Sequence, residues 1–552
     1  MAKKLKKNGF VDGTLISYAS IVFTKLLGLF YIIPFTALIG EDGMVIYSCA
    51  YIIYNLVLNA STSGVPTAMS ILVSEYNTLN MHKTKMKVYK IGNIFSCSLG
   101  VLFFLILVAF ANNISSFYVN TVAENAASIS VDSLANAIRC VAVCLLIVPF
   151  LSIFRGFLQG QKVLAVSAFS QVVEQIARIG FVLIGAYIAI KVFGFSTSTG
   201  VNIALLGAGI GAFCAILYLV LKSRGADDVI IKVSDETNIP STKEILKKFL
   251  FHCIPILIVA VSANIYEMTN NLLVVGFYAN LGFDNADKIG SVITTYGPKI
   301  AMIISALAMG LTSTIVPEMT ALVAKRDLKQ ANLKLNSAID IIFAISLPIC
   351  VGMVVLSDAV YAFFYGSNMS DVGSMMIKFI IPVNVVSCIK ITLCMAMQGL
   401  KKTKAVCIAT ISGILINLAL AVPLMWICYH IFGFGLHSYI GACISTFIGQ
   451  STCVVIILVV LRKSFNFRYG SVFRTFIKTA VPALVMGAVV LVANYFLPVS
   501  NVRSLSQIIH LCAYALLGAI IYFVLIYLNG TLTSIFGDKM INKVLNKLRL
   551  KK

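Results

Sequence analysis

The sequence predicts an all-α polytopic membrane protein with 14 transmembrane helices: two six-helix lobes of like orientation plus two additional C-terminal helices. Three observations carry this. The 552 residues are 59% hydrophobic and 12% charged, with a mean hydropathy of +0.95, which leaves too little polar surface to cover a soluble core of this size. The apolar runs are 20–30 residues long, the length of a membrane-crossing helix; barrel strands would be about ten residues long and alternating. Finally, the loops between the runs alternate between basic and nearly uncharged.

The first span, 14–39, follows the basic leader MAKKLKKNGF. That leader resembles the start of a signal peptide, but the apolar run behind it is too long and lacks a small-residue cleavage site, so it stays as a helix. Spans two to six fall at 45–74, 89–111, 132–158, 163–190 and 202–222. The polar stretch 223–247 reads as a cytoplasmic linker, too short to hold an enzyme domain. Spans seven to twelve occupy 248–280, 288–320, 335–357, 373–399, 405–430 and 437–461, and the added pair 474–497 and 505–529. The expected divisions are an N-lobe at 1–222, a C-lobe at 248–461, the added pair within 462–530 and a tail at 531–552. In the tail Ile541, Val544, Leu545 and Leu548 follow helical spacing beside Lys543, Lys547 and Arg549. Such a segment lies on the cytoplasmic membrane face, drawn to anionic lipids; a solvated basic tail is the plainer alternative.

Loop charge fixes the expected topology. One set of alternate loops and termini holds 33 Lys and Arg; the other holds only Lys191, Lys288 and Arg503. Both termini are therefore expected in the cytoplasm. The net charge of +22 is explained by this bias, so no nucleic-acid partner is implied. The 14 cysteines sit mostly in apolar segments without pairing or metal-ligand spacing and read as small core residues, with no metal site. Five scattered histidines (His82, His252, His430, His437, His510) and short outer loops offer no catalytic cluster, so no catalytic residue is assigned and a membrane glycosyltransferase or ligase is disfavoured. Two short landmarks recur in order: Val65-Pro66 and FLQGQKVLAV (Phe157–Val166), then Val316-Pro317 and MAMQGLKKTKAV (Met395–Val406). They suggest a parallel repeat, which places a substrate path between lobes.

Seven bases fall inside the expected spans: Lys25, Arg139, Arg155, Arg178, Lys299, Lys378 and Lys390. Each costs roughly 2.5–3.5 kcal/mol at mid-membrane on translocon scales. Arg155 and Lys378 lie near span ends and can snorkel to the interface. The intramembrane acids are Glu174, Glu267 and Asp340. Glu174 and Arg178 are four apart on one helix, spacing that predicts an ion pair. That leaves Lys25, Arg139, Lys299 and Lys390, of one sign and spread over both lobes. Any one of them can be explained by snorkelling or a carbonyl partner; together, and with Arg178, they point to a cavity that attracts an anion. Gly28, Pro34, Gly64, Pro66, Gly297 and Pro298 lie close to these bases, as hinges for bending or as routine kinks. Glu267 with Asn264, Asn271 and Asn417 offers oxygens for Na+ or a proton, or else ordinary interhelical hydrogen bonds.

Four stretches carry a resemblance over nearly the whole chain: FTKLLGLFYIIPF (Phe23–Phe35), GVPTAMSILVSEYN (Gly64–Asn77), RGFLQGQ (Arg155–Gln161) and STIVPEMTALVAKRD (Ser313–Asp327). In these the sequence resembles the MOP flippase superfamily, and within it the polysaccharide-biosynthesis branch of Gram-positive bacteria, the MurJ-type lipid II flippases and their sporulation relatives. The resemblance implies a transporter of the bacterial plasma membrane. It would move an undecaprenyl-diphosphate-linked saccharide, lipid II for peptidoglycan, from the inner to the outer leaflet by alternating access. Another lipid-linked polysaccharide or spore-cortex precursor, or multidrug/cation antiport, is the alternative. It implies a cavity lined by bases of the first and eighth helices, a lipid-tail groove formed by spans thirteen and fourteen, and cell-wall synthesis proteins as partners. No cofactor is implied; coupling to Na+, H+ or the membrane potential stays open. Lys25 falls on the first helix-1 base of the pattern F-[ST]-[RK]-x-L-G, here Phe23–Gly28. Where a second Arg is expected, Phe30 and Tyr31 stand instead, and span two lacks its intramembrane Arg, a gap that Lys299 and Arg139 are expected to fill.

Overall fold

The computed structural model describes residues 10–121, 129–223, 239–283, 286–305, 326–366, 370–400 and 402–536, with positions 315, 319 and 322. Among the described residues every regular element is helical, and twelve helices are long and apolar enough to cross a membrane. These correspond to spans two to seven and nine to fourteen. The first expected span is divided at Tyr31, and much of the eighth lies outside the described residues, as does the amphipathic tail beyond 536. The chain divides into two compact units, Met1–Thr295 and Tyr296–Lys552.

Unit one begins with α1 (Phe10–Phe30) and α2 (Ile32–Thr62). Tyr31 between them keeps helical angles (φ −65, ψ −21). The interruption comes from Pro34, which has no N–H to offer the Phe30 carbonyl. The true turn is at Gly40 (φ 69, ψ −171), inside the range of α2, where a side chain would be strained. A second break at Gly64 (φ 79) starts α3 (Val65–Thr78), with Pro66 in its first turn where a missing N–H costs nothing. There follow α4 (His82–Thr121), α5 (Val131–Ala142), α6 (Val148–Gly160), α7 (Leu164–Tyr187), α8 (Thr197–Leu205) and α9 (Gly207–Ser223). A 3-10 turn at Val143–Leu146 and Pro149 split the fourth span into α5 and α6, a break the apolar pattern does not reveal. The unit closes with α10 (Thr242–Asn280) and α11 (Ala286–Ser291). Ser241 and Glu244 cap α10 reciprocally, two orphan N–H groups satisfied at once. This helix, the seventh span, packs on α2, α3 and α4, so its contacts lie with the first six spans.

Both first-half landmark stretches meet in unit one. Gly156 and Gly160 of α6 lie against α3: an added Cβ would stand 2.6 Å from the Pro66 carbonyl oxygen and 2.7 Å from that of Ser70. Small residues four apart let two membrane helices touch through their backbones.

Unit two holds α12 (Leu328–Val355), α13 (Ser357–Tyr365), α14 (Ser370–Gly399), α15 (Thr403–His430), α16 (Ile440–Phe465), α17 (Gly470–Phe496), α18 (Leu505–Leu528) and α19 (Thr531–Phe536). Gly441 sets α16 directly on the α15 backbone at Met425. The added pair is tied to the rest by polar contacts at its ends. Arg503 donates to the Phe363 and Phe364 carbonyl oxygens (3.0 and 2.7 Å), closing the C-terminus of α13, where a cation also meets the negative end of the helix dipole. The Tyr522 hydroxyl donates to the Ala344 carbonyl at 2.8 Å. Elsewhere α17 and α18 expose long apolar side chains, among them Leu484, Leu516 and Ile520, an outer surface suited to lipid.

Candidate functional site

In unit one the expected bases fall into three settings. Arg178 on α7 lies in a nest of aromatic residues from α2. Its Nη2 donates to the Tyr51 hydroxyl at 2.5 Å, and its guanidinium carbon lies 5.2 Å from the Tyr51 ring centre, within cation–π range. The Tyr51 ring stacks on Tyr47 at 5.4 Å, and Tyr47 shares a hydroxyl–hydroxyl hydrogen bond of 3.1 Å with Tyr31. Phe35 meets the Tyr47 ring edge-on at 5.0 Å, and Tyr54 lies 5.8 Å beyond Tyr51. Tyr31, Tyr47 and Tyr54 are buried, and Arg178 is half-buried against this cluster. Tyrosine hydroxyls satisfy a guanidinium without neutralising it, so the positive charge survives.

The ion pair expected between Glu174 and Arg178 is corrected by this geometry. Glu174 pairs with Arg155 of α6, Nη2 to Oε2 at 2.7 Å, and Arg155 Nε donates to the Ser170 hydroxyl at 2.8 Å. Arg155 is thus an interhelical partner rather than a snorkelling end charge. Sequence spacing along one helix cannot reveal a partner on the neighbouring one.

Arg139 on α5 has local partners the sequence reading missed. It donates to the side-chain oxygens of Asn136 and Asn112, each at 3.1 Å. Asn136, one turn back, was the available signal. Lys25 is half-buried on α1, between the exposed Phe23 and Leu26, and α1 packs along α7, the helix that carries Arg178. Gly28 is buried within α1, and Pro34 lies in the first turn of α2.

The amide groups are engaged in hydrogen bonds. Asn264 on α10 donates to the Ala260 carbonyl one turn back at 3.0 Å, and Asn271 donates to the Thr294 hydroxyl at 3.2 Å. Glu267 is half-buried on the same helix.

In unit two, Lys299 is half-buried just after Gly297-Pro298, beyond a π-helical turn at Val292–Tyr296. Gly297 lies against the Met376 side chain of α14. The Tyr296 ring stacks on Tyr365 at 4.2 Å, and the Tyr365 hydroxyl donates to the Tyr296 carbonyl at 3.2 Å, fixing the start of this segment on α13. Lys390 on α14 is 5% exposed, with Cys394 and Cys453 as electrostatic neighbours. Asn417 on α15 donates to the Ser445 and Thr446 hydroxyls of α16, both at 3.1 Å, an interhelical hydrogen-bond pattern.

Comparison with known proteins follows the same lines. The family model described as polysaccharide biosynthesis protein matches residues 10–323, and the MatE model matches 255–423. The chain is 27% identical over 551 residues to the lipid II flippase MurJ of Bacillus subtilis (strain 168), covering 98% of each. It superposes on a solved inward closed lipid II flippase MurJ with a TM-score of 0.63 at 18% identity, over 96% of this chain and all (100%) of that one. It also superposes on an outward-facing multidrug resistance MATE family transporter of the MOP superfamily with a TM-score of 0.62 at 16% identity, over 84% and 99%. These likenesses show the fold of a multi-pass membrane transporter.

Proposed function

The chain belongs to the polysaccharide biosynthesis protein family, and from that premise we propose that it is a lipid flippase of the bacterial plasma membrane. Its substrate is an undecaprenyl-diphosphate-linked saccharide, lipid II for peptidoglycan, carried from the inner to the outer leaflet. The similarity to a lipid II flippase over 98% of both chains supports this reading, whereas the MatE match is confined to 255–423. The observation that carries it is the charge of Arg178, half-buried on a membrane-spanning helix and held by a tyrosine that does not neutralise it. Tyr31 belongs to the same cluster and stands in the stretch where the family resemblance expects a second helix-1 base. Arg178, from a different helix, supplies a cation in its place.

In this mechanism intramembrane bases attract the diphosphate: Lys25 and Arg178 within unit one, and Lys299 and Lys390 within unit two. A set of lysines holds oxygens by point charge and releases them more readily than a rigid guanidinium fork. The polyprenyl tail stays in lipid along spans thirteen and fourteen. Fourteen crossings, both termini cytoplasmic, and bending at Gly64 and Gly297-Pro298 complete the scheme. An inside-negative potential favours outward passage of the anionic head by about 2.3 kcal/mol per charge per 100 mV.

The test is complementation of a strain depleted of its lipid II flippase. Wild-type chain restores growth; Lys25→Ala reaches the membrane in equal amount and does not. Full rescue by Lys25→Ala would remove that lysine from the path.

A further inference from the structure

Two loops of the chain carry one short motif that the transport scheme leaves unused. Phe193-Gly194-Phe195 follows the fifth span, and Phe432-Gly433-Phe434 follows the eleventh. The interval between the copies equals that between Gln159-Gly160 and Gln398-Gly399 of the paired landmarks, so the motif belongs to the same repeat. The two copies also fold alike. In unit one, α7 runs into a π-helical turn at Ile188–Val192. Two backbone hydrogen bonds then close the chain: Phe193 N–H donates to the Ile188 carbonyl at 3.0 Å, and Phe195 N–H to the Ala189 carbonyl at 2.9 Å. In unit two, Phe432 and Phe434 make the corresponding bonds to the Ile427 and Cys428 carbonyls of α15, at 3.3 and 3.0 Å.

The glycine between the rings is left-handed in both copies, with φ 66 at Gly194 and φ 65 at Gly433. An added Cβ at either would meet nothing within 4 Å, so the backbone angle and not crowding calls for glycine. In each copy the two phenylalanine rings stack at 5.6 Å, with interplanar angles of 21° and 25°. All four rings are nevertheless exposed, from 37% at Phe434 to 65% at Phe193. Exposed apolar side chains lead up to each pair: Ile184, Tyr187 and Val192 in unit one, Trp426 and Ile431 in unit two. Residues 192–200 and 431–438 hold no Asp, Glu, Lys or Arg, while Lys191 is exposed just before the first pair. Neither segment offers a charge to orient a protein partner, and both continue the apolar faces of membrane-spanning helices. The occupant that fits is lipid. Aromatic rings at a helix end suit the headgroup–acyl boundary, and a lysine beside them can extend to the headgroups.

We propose that the two Phe-Gly-Phe turns are interfacial anchors, each inserting its stacked rings into the headgroup–acyl boundary of the bilayer at the end of its helix. In unit one the anchored helix is α7, which carries Arg178. That the anchor sets the height of a substrate-facing base rests on the flippase reading; the insertion of the rings does not.

Tryptophan fluorescence tests the insertion without any substrate. Trp426 is the only tryptophan of the chain, so in a Trp426→Phe background a tryptophan placed in a turn reports its own surroundings. Phe193→Trp and Phe432→Trp are each reconstituted, as the full chain, into phosphatidylcholine vesicles brominated either near the headgroup or near the end of the acyl chains. Both are expected to be quenched several-fold more by the shallow bromines than by the deep ones, and little by aqueous acrylamide. Quenching by acrylamide and by neither lipid, at either turn, would place that turn in water and overturn the proposal. Strongest quenching by the deep bromines would overturn it too, since the rings would then be ordinary acyl-facing surface. Should either variant not fold, Phe195→Trp and Phe434→Trp make the same measurement on the second ring of each pair. Shallow quenching in a chain that fails to flip lipid would reject the transport reading and leave the anchors standing.

Discussion

Arg178 donates a 2.5 Å hydrogen bond to the Tyr51 hydroxyl and lies over the same ring, while Glu174, one turn away on α7, is paired with Arg155. Two arginines and one glutamate in neighbouring helices are thus sorted into a neutral structural pair and a retained positive charge. Removing the tyrosine hydroxyl withdraws a hydrogen bond to a charged group, worth about 1.5–3 kcal/mol. Tyr51→Phe keeps the ring and is expected to lower the thermal unfolding temperature less than Tyr51→Leu, which removes both contacts. Arg178→Gln is expected to abolish complementation at unchanged expression, and Arg178→Lys to restore part of it.

The Arg155–Glu174 pair has side chains only 14% and 24% exposed. Breaking such a pair from one side leaves the other charge uncompensated, at a cost of about 3–5 kcal/mol. Arg155→Ala and Glu174→Ala are each expected to reduce folded yield sharply. The double variant is expected to be more stable than either single one, which a double-mutant cycle on detergent-solubilised protein measures.

Sequence reading reached the helical class and most of the spans, because apolar length is a property of the chain itself. It missed what depends on neighbouring helices. Arg155 looked like an end charge because its partner lies on α7. Arg139 looked lone although Asn112 and Asn136 receive it. The break between α5 and α6 left no mark in the apolar pattern beyond Pro149, which a membrane helix tolerates. Gly160 lies in a recurring landmark and Gly156 in the RGFLQGQ stretch that overlaps it; their contacts with Ser70 and Pro66 supply a physical reason for small residues there.

That contact makes a sharp prediction. Gly160→Val puts branched carbons where the Ser70 carbonyl and the Val73 side chain already stand, at 2.7 Å. The α3–α6 packing has no room to yield through side-chain motion alone, because the obstacle includes backbone. Gly160→Val is expected to be retained in the membrane at a small fraction of wild-type abundance. A matched substitution at Gly180, where an added Cβ meets nothing within 4 Å, is expected to leave abundance unchanged.

Lys288 pairs with Glu41 and Asp42, the two residues that follow the turn at Gly40. Burial alone would lower its pKa, but the two carboxylates outweigh that and hold it above the ordinary lysine value. A raised pKa means the ammonium contributes stability that is fully present below the ordinary lysine range and is lost only as pH climbs through the higher folded value. The stability difference between wild type and Lys288→Gln is therefore expected to be flat through neutral pH and to shrink only above about pH 10.4. With partly exposed partners the difference is no more than about 1 kcal/mol, and added salt reduces it further.

The central claim is that this chain carries a lipid-linked saccharide across the bilayer. Leaflet-resolved labelling of lipid II tests it most directly, in cells whose only lipid II flippase is this chain under depletion. The account predicts that outer-leaflet lipid II falls as the chain is depleted while inner-leaflet lipid II accumulates, and that wild-type but not Arg178→Gln protein reverses both. An unchanged outer-leaflet pool after depletion would contradict it.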